Sequence, residues 1–317
     1  MISRRLFLAA SAAAAVLRGA TLSSKQRVDR ALRGEDLDRP PFSLWHHFLD
    51  EAKPPEQHAK STLAFHDKFH TDLVKVMSDY PYPKPKGAWY EVKAETNPFP
   101  KQIRALGLIR DGLGGKAYFV ETIFNPWNVA EKLSSKEAVL ALMHTQPQKL
   151  LDALETIARA EASHAKRAVD EGAAGVFLAI ANAQTGILTQ DEYARFSEPF
   201  DKMVLQGALG APMNLLHLHG DKVYLDRFYE KWPVAGINYS MHGTGVSIAA
   251  VRAKYPDVIL GGLDEVKYRQ LPEAELKREW MEAKSAAGNK FILTPGCSVP
   301  NDSSDEELSR LARVLGA

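Results

Sequence analysis

The sequence predicts an α/β protein built as a single-domain (β/α)8 TIM barrel. Three observations carry this expectation. Eight short apolar runs alternate with amphipathic helical stretches from residue 42 onward, the pattern of parallel strands joined by crossover helices. The 317 residues leave room for one such barrel, which commonly takes about 250. No Gly-x-Gly-x-x-Gly follows the first run and no Gly-Lys-Ser/Thr loop occurs, which disfavours the runner-up, a doubly wound nucleotide-binding sheet.

The elements follow in order. Residues 1–20 (MISRRLFLAASAAAAVLRGA) pair Arg4 with Arg5, then run apolar and alanine-rich into small residues. They read as a twin-arginine-type signal peptide, and the barrel is expected over 21–317, exported to the periplasm. Strands are expected at 42–46 (FSLWH), 73–77 (LVKVM), 118–123 (YFVETI), 175–180 (GVFLAI), 213–217 (MNLLH), 235–239 (AGINY), 258–261 (VILG) and 291–294 (FILT). Ser134 with Glu137, and Thr189 with Glu192, fit the capping box that opens a helix. Apolar residues at helical spacing fill 150–168, and helices are expected over 222–231, 247–255, 273–287 and 305–315. Residues 80–116, rich in proline, glycine and aromatics, predict a long insert after the second strand at the barrel mouth.

Composition narrows the function classes. With 45% hydrophobic and 25% charged residues the chain is ordinary for a globular protein. Forty basic against thirty-nine acidic side chains lack the excess a nucleic-acid binder needs. Beyond the first twenty residues no run is long and apolar enough for a membrane span. Cys297 is the only cysteine, so it is either buried and inert or held by a metal.

In barrels of this kind the chemistry sits where strands end and loops begin. Those positions hold His46 and His47, Asp79, Asn125, Asn182 and Gln184, then His217 and His219 in NLLHLHGD, then Asn238, Tyr239 and His242, then Asp264 and Glu265, and finally Cys297. His217 and His219 are two apart, so a strand points both imidazoles to one side. They are candidate metal ligands, acid–base groups, or a polar lip on a core strand. Of the adjacent His46 and His47 only one can face inward, and His46 is favoured. Asp264 serves either substrate or the following turn. His58, His66, His70, His144 and His164 fall in helices or linkers, as solvated or structural groups. Trp89, Tyr90 and Phe99 either close over a flat substrate or pack the lid.

Several stretches resemble the uroporphyrinogen decarboxylase superfamily: RALRGEDLDRPPF, TDLVKVMSDY, EGAAGVFLAIAN through LTQDEYARFSEPF, VILGGLDE and GNKFILTPGCSVPNDSSDEELSRL. The resemblance spans about residues 28–314 and implies a (β/α)8 barrel. It also implies one of two chemistries, metal-free decarboxylation of tetrapyrrole acetates or zinc-dependent methyl transfer between corrinoids and thiols. The decarboxylase branch carries an arginine-bearing loop after the first strand. Here LWHHFLDE has none, and imidazole replaces bidentate guanidinium poorly. Asp79 matches that branch's pyrrole-binding aspartate.

The methyltransferase branch uses His-x-Cys after strand five and Cys after strand eight as zinc ligands. This chain reads His217-Leu218-His219 and Cys297. The resemblance therefore implies a site for zinc or another divalent metal with three protein ligands and one open position. Around it Asp79, His242 and His46 are the catalytic candidates, and Asn182, Tyr239 and Asp264 the substrate-binding ones. The expected partners are a small-molecule substrate, with a corrinoid among the candidates, and a second copy in a homodimer. Methyl transfer is favoured, ahead of metal-free decarboxylation and of a non-catalytic corrinoid, porphyrin or metal binder.

Overall fold

The computed structural model describes residues 21–49, 53–78, 80–230 and 232–314. The predicted signal segment and Asp79 lie outside the described residues. The chain enters through α1 (Ser24–Arg33) and α2 (Pro55–Phe69), then β1 (Leu73–Val76), α3 (Pro100–Leu113) and β2 (Tyr118–Phe124). Three helices follow, α4 (Pro126–Leu133), α5 (Lys136–Thr145) and the long α6 (Pro147–Asp170), before β3 (Val176–Ile180). Helices α7 (Gln190–Phe196) and α8 (Glu198–Gln206) lead to β4 (Leu215–Leu218) and β5 (Gly236–Tyr239). The chain closes with α9 (Met241–Thr244), α10 (Ile248–Arg252), β6 (Val258–Leu263), α11 (Glu273–Ala287), β7 (Phe291–Pro295) and α12 (Asp305–Val314). No described helix is long and apolar enough to cross a membrane.

The expected closed eight-stranded barrel is not what forms. Seven parallel strands pair in sequence order, β1 to β7, as a curled, open half-barrel sheet. The missing strand is the first predicted one. Over 42–46 the chain makes a single parallel bridge, Phe42 with Leu293. Pro40 and Pro41 just before it carry no N–H, so no ladder extends through them. A charge cluster holds the segment instead: the buried Asp72 carboxylate accepts from Phe42 N at 3.0 Å and from Arg27 and Arg39 at 2.5 Å each.

Three further expectations change. The insert is shorter than 80–116, because 100–113 folds as α3, the ordinary crossover between β1 and β2. Its glycines suit close packing, since a Cβ on Gly112 would strike the Leu63 side chain of α2. The helix expected over 222–231 reduces to a short 3-10 turn at Leu225–Phe228. The cap of α5 is Ser135, whose hydroxyl accepts from Ala138 N, not Ser134. The Thr189–Glu192 capping box forms as read.

Strand alternation sorts the core. Leu73, Val120, Phe177, Leu215, Leu260 and Ile292 pack inside the curl with Trp45 and Met77. Outward residues such as Val176, Leu178, Leu216 and Ile259 pack under the helices. One polar cluster sits in that outer layer: Glu121 accepts from Gln102 at 2.9 Å and pairs with His164 of α6 at 2.9 Å, all buried. His164 is thus structural, tying α6 to β2. Along the inward face the floor is apolar, while Lys75, Thr122, His217, Asn238 and Thr294 stand toward the strand C-termini.

Candidate metal centre

His217 lies within β4 and His219 just after it, so pleating sends both rings into the curl. Gly220 turns the chain there with φ +124°, and a Cβ would collide with the Gln184 amide. That amide donates to His219 O at 3.1 Å and pins the turn. Cys297 arrives from the loop after β7. Its Sγ stands 3.8 Å from His217 Nε2 and 3.4 Å from His219 Nδ1, and the three ligand atoms all lie within 4.8 Å of one another. Tetrahedral zinc, with bonds near 2.3 Å to sulfur and 2.05 Å to nitrogen, would put sulfur and nitrogen about 3.6 Å apart. The two observed distances bracket that value, so the residues fit such an ion.

The His217 tautomer follows from the sheet register. His217 is paired with Asn238 on β5, and its Nδ1 lies 2.6 Å from Asn238 Oδ1. Asn238 Nδ2 donates to the carbonyls of Leu260 and Pro295, both at 3.1 Å. The amide oxygen must then face His217, Nδ1 carries the proton, and Nε2 turns its lone pair toward Cys297. Burial, helped by His219 and Lys75, lowers the His217 pKa to about 3, so this imidazole stays neutral. Burial pushes the Cys297 thiol up, with Glu265 adding to the effect and Ser298 N and Lys75 opposing it. In the protein without metal, one imidazole is ready to coordinate and the sulfur holds its proton.

The three residues stand at one wall of a cavity of about 260 Å³. Its lining alternates along successive segments: Trp45 and His47, Lys75 and Met77, Thr122 and Phe124, Phe177 and Ala179, His217 and His219. Phe177 stacks on His217 with centroids 5.4 Å apart, and the Lys75 ammonium lies 5.0 Å from the Phe177 centroid. Lys75 also donates to Met77 Sδ at 2.8 Å and is buried. Lys75 and Phe177 were missed by reading only strand ends. Their signal was the period-two register with His217.

The other predicted residues are placed as follows. His47 lines the cavity, its pKa lowered to about 4 by burial and by Lys75, Lys132 and His46. His46 turns away, donating from Nε2 to Asn301 O at 3.2 Å and stacking on Phe65. His242 faces Asp264, Nδ1 to Oδ2 3.5 Å, while Asp264 Oδ1 caps the next turn through Val266 N and Lys267 N. Neither is among the residues lining the metal cavity. Asn182 accepts from Asn125 Nδ2 at 2.8 Å in a buried network with Ser197 and Asp201. Tyr239 is buried and donates to Val246 O. Trp89 and Tyr90 pack against the main core.

The sequence profile of the uroporphyrinogen decarboxylase (URO-D) family matches residues 89–316. The chain belongs to the uroporphyrinogen decarboxylase family. No curated protein matches it. Among solved structures it is similar to a methyltransferase from Methanosarcina mazei, at 19% identity and a TM-score of 0.74, covering 93% of this chain and 98% of that one. It is also similar to the putative vitamin-B12 independent methionine synthase from Listeria monocytogenes, at 13% identity and TM-score 0.56, covering 83% and 86%. At these identities the likeness is one of fold. Within this uroporphyrinogen decarboxylase-family chain the described cavity lining holds no arginine, so a guanidinium clamp for tetrapyrrole carboxylates is absent from it.

Proposed function

We propose that this chain is a metal-dependent methyltransferase in which His217, His219 and Cys297 hold a divalent ion, zinc foremost. The observation that carries the reading is the convergence of the three ligand atoms on a cavity, with the His217 tautomer already fixed for coordination. When bound, the ion supplies Lewis acidity, lowering the pKa of a thiol or hydroxyl that reaches its open position.

The chain's own residues supply the rest. Asn238 holds His217 in register, and Phe177 covers its ring. Lys75, buried and donating to Met77 Sδ, lines the same cavity. A volume of about 260 Å³ suits a small molecule and not a corrin ring. The acceptor therefore enters the cavity, and a corrinoid donor presents its methyl group at the mouth. The transfer balances as a methyl group leaving cobalt(III) for thiolate sulfur, giving a thioether and cobalt(I).

Metal analysis of the purified protein, followed by single-turnover demethylation of methylcobalamin with a small thiol, tests the reading. About one ion per chain and metal-dependent demethylation are expected, with both lost in His219→Ala and Cys297→Ser. A metal-free protein, or demethylation indifferent to both substitutions, would sink it.

A further inference from the structure

A second cavity of about 270 Å³ lies beside the first, and Phe124 and Lys132 line both. Tyr80, Tyr82 and Phe99 wall it from the 80–99 segment and the start of α3, with Val129 of α4 opposite. Glu161 of α6 reaches into it. This carboxyl is 2% exposed and makes no hydrogen bond among the described residues. Tyr82 Oη is buried there without a partner as well. Two unpartnered polar groups at one apolar cavity are uncommon in a folded interior, and a ligand that pairs with them would account for their retention.

We propose that this cavity binds a flat heterocycle presenting an N–H beside a C=O, with that lactam edge paired to the Glu161 carboxyl and its faces against the aromatic walls. Burial, with Glu121 close by, holds Glu161 well above the usual carboxylate range. The neutral acid offers one donor and one acceptor side by side, which matches a lactam edge through two parallel hydrogen bonds. A cationic amine would instead require ionising a fully buried acid. Lys132 on the shared wall lies over the Phe124 ring, 3.0 Å from its centroid. The site is independent of the metal reading, and its test reads no metal or turnover.

The full chain, with Glu161→Gln and Glu161→Leu variants, would be titrated with 2-quinolinone and N-methyl-2-quinolinone by ligand-observed NMR and calorimetry. The native protein should bind 2-quinolinone, and the methylated probe should bind about tenfold more weakly, having lost the donor. Glu161→Gln keeps a donor and an acceptor, so its affinity should stay within about threefold of native. Glu161→Leu should lose about tenfold or more. If Glu161→Leu fails to fold, the native and Glu161→Gln comparisons decide alone. Binding of neither probe, equal binding of both, or unchanged affinity in a folded Glu161→Leu would overturn the proposal. So would benzylammonium binding that Glu161→Gln abolishes.

Discussion

Metal binding should release one proton per ion, and that proton should come from Cys297. The perturbation is pH, raised from 7 to 8. His217 is already neutral there, its pKa lying at about 3 because burial disfavours the imidazolium. The Cys297 thiol is held above its ordinary range by the same burial, so it keeps its proton across this window and must lose it to coordinate. Affinity should then climb about tenfold over the pH unit, or roughly 1.4 kcal/mol. Chelator competition would give the affinity, and calorimetry in two buffers of different ionisation enthalpy would count the protons. Cys297→Ser should flatten the pH slope. It should also weaken binding on the order of a hundredfold, taking roughly 10–16 kcal/mol shared among four ligands as about 3 kcal/mol each. A pH-independent affinity for the native protein, or tight binding by Cys297→Ser, would refute the assignment of the sulfur as a ligand.

Other outcomes follow from the same structure. Asn238→Ala should lower metal affinity about 10–100-fold, because the His217 ring loses the partner that fixes its tautomer; competition titration would measure it, and an unchanged affinity would show that the pair does not orient the ring. Asp201 is buried, and desolvation raises its pKa to about 7 despite hydrogen bonds from Tyr193, Asn125 and Ser197. The native state therefore holds this proton where the unfolded chain has released it, so stability from this group is full below about pH 4. It is lost as pH rises to about 7, by roughly 4 kcal/mol. Urea unfolding of Asp201→Asn should gain on the native protein over that window, and parallel pH profiles would contradict this. We also propose export through residues 3–8 (SRRLFL); replacing Arg4 and Arg5 by lysine should leave the chain in the cytoplasm by cell fractionation, and undiminished export would remove the twin-arginine reading.

What the sequence made legible was periodic or terminal. The pairing of His217 with His219 needed only strand alternation, and seven of the eight expected strands lie where apolar runs end in polar residues. The eighth is reduced to one bridge: FSLWH reads as a strand by composition, but its Phe42 N–H goes to the Asp72 carboxylate and its Trp45 carbonyl to Val299 N. Helix α3 was hidden by its own glycines, which look like loop residues until Leu63 is seen to occupy the space of a Cβ at Gly112. Lys75 and Glu161 carry ordinary side chains in ordinary amphipathic runs. Their importance comes from burial against distant segments, which a single sequence does not encode locally.

His219 is where the site departs from the two-thiolate pattern that the resemblance implies, and its consequence is electrostatic. Two neutral imidazoles and one thiolate leave a divalent ion at a formal +1, where two thiolates would leave it neutral. Lys75 lines the same cavity. A net positive ion in a partly desolvated site is costly, so on the proposed reading an anionic group at its open position would offset it. A more positive ion also holds a bound thiolate more tightly and dulls its nucleophilicity. On the proposed methyl-transfer reading, the same arrangement would thus favour anionic acceptors and slow transfer to them.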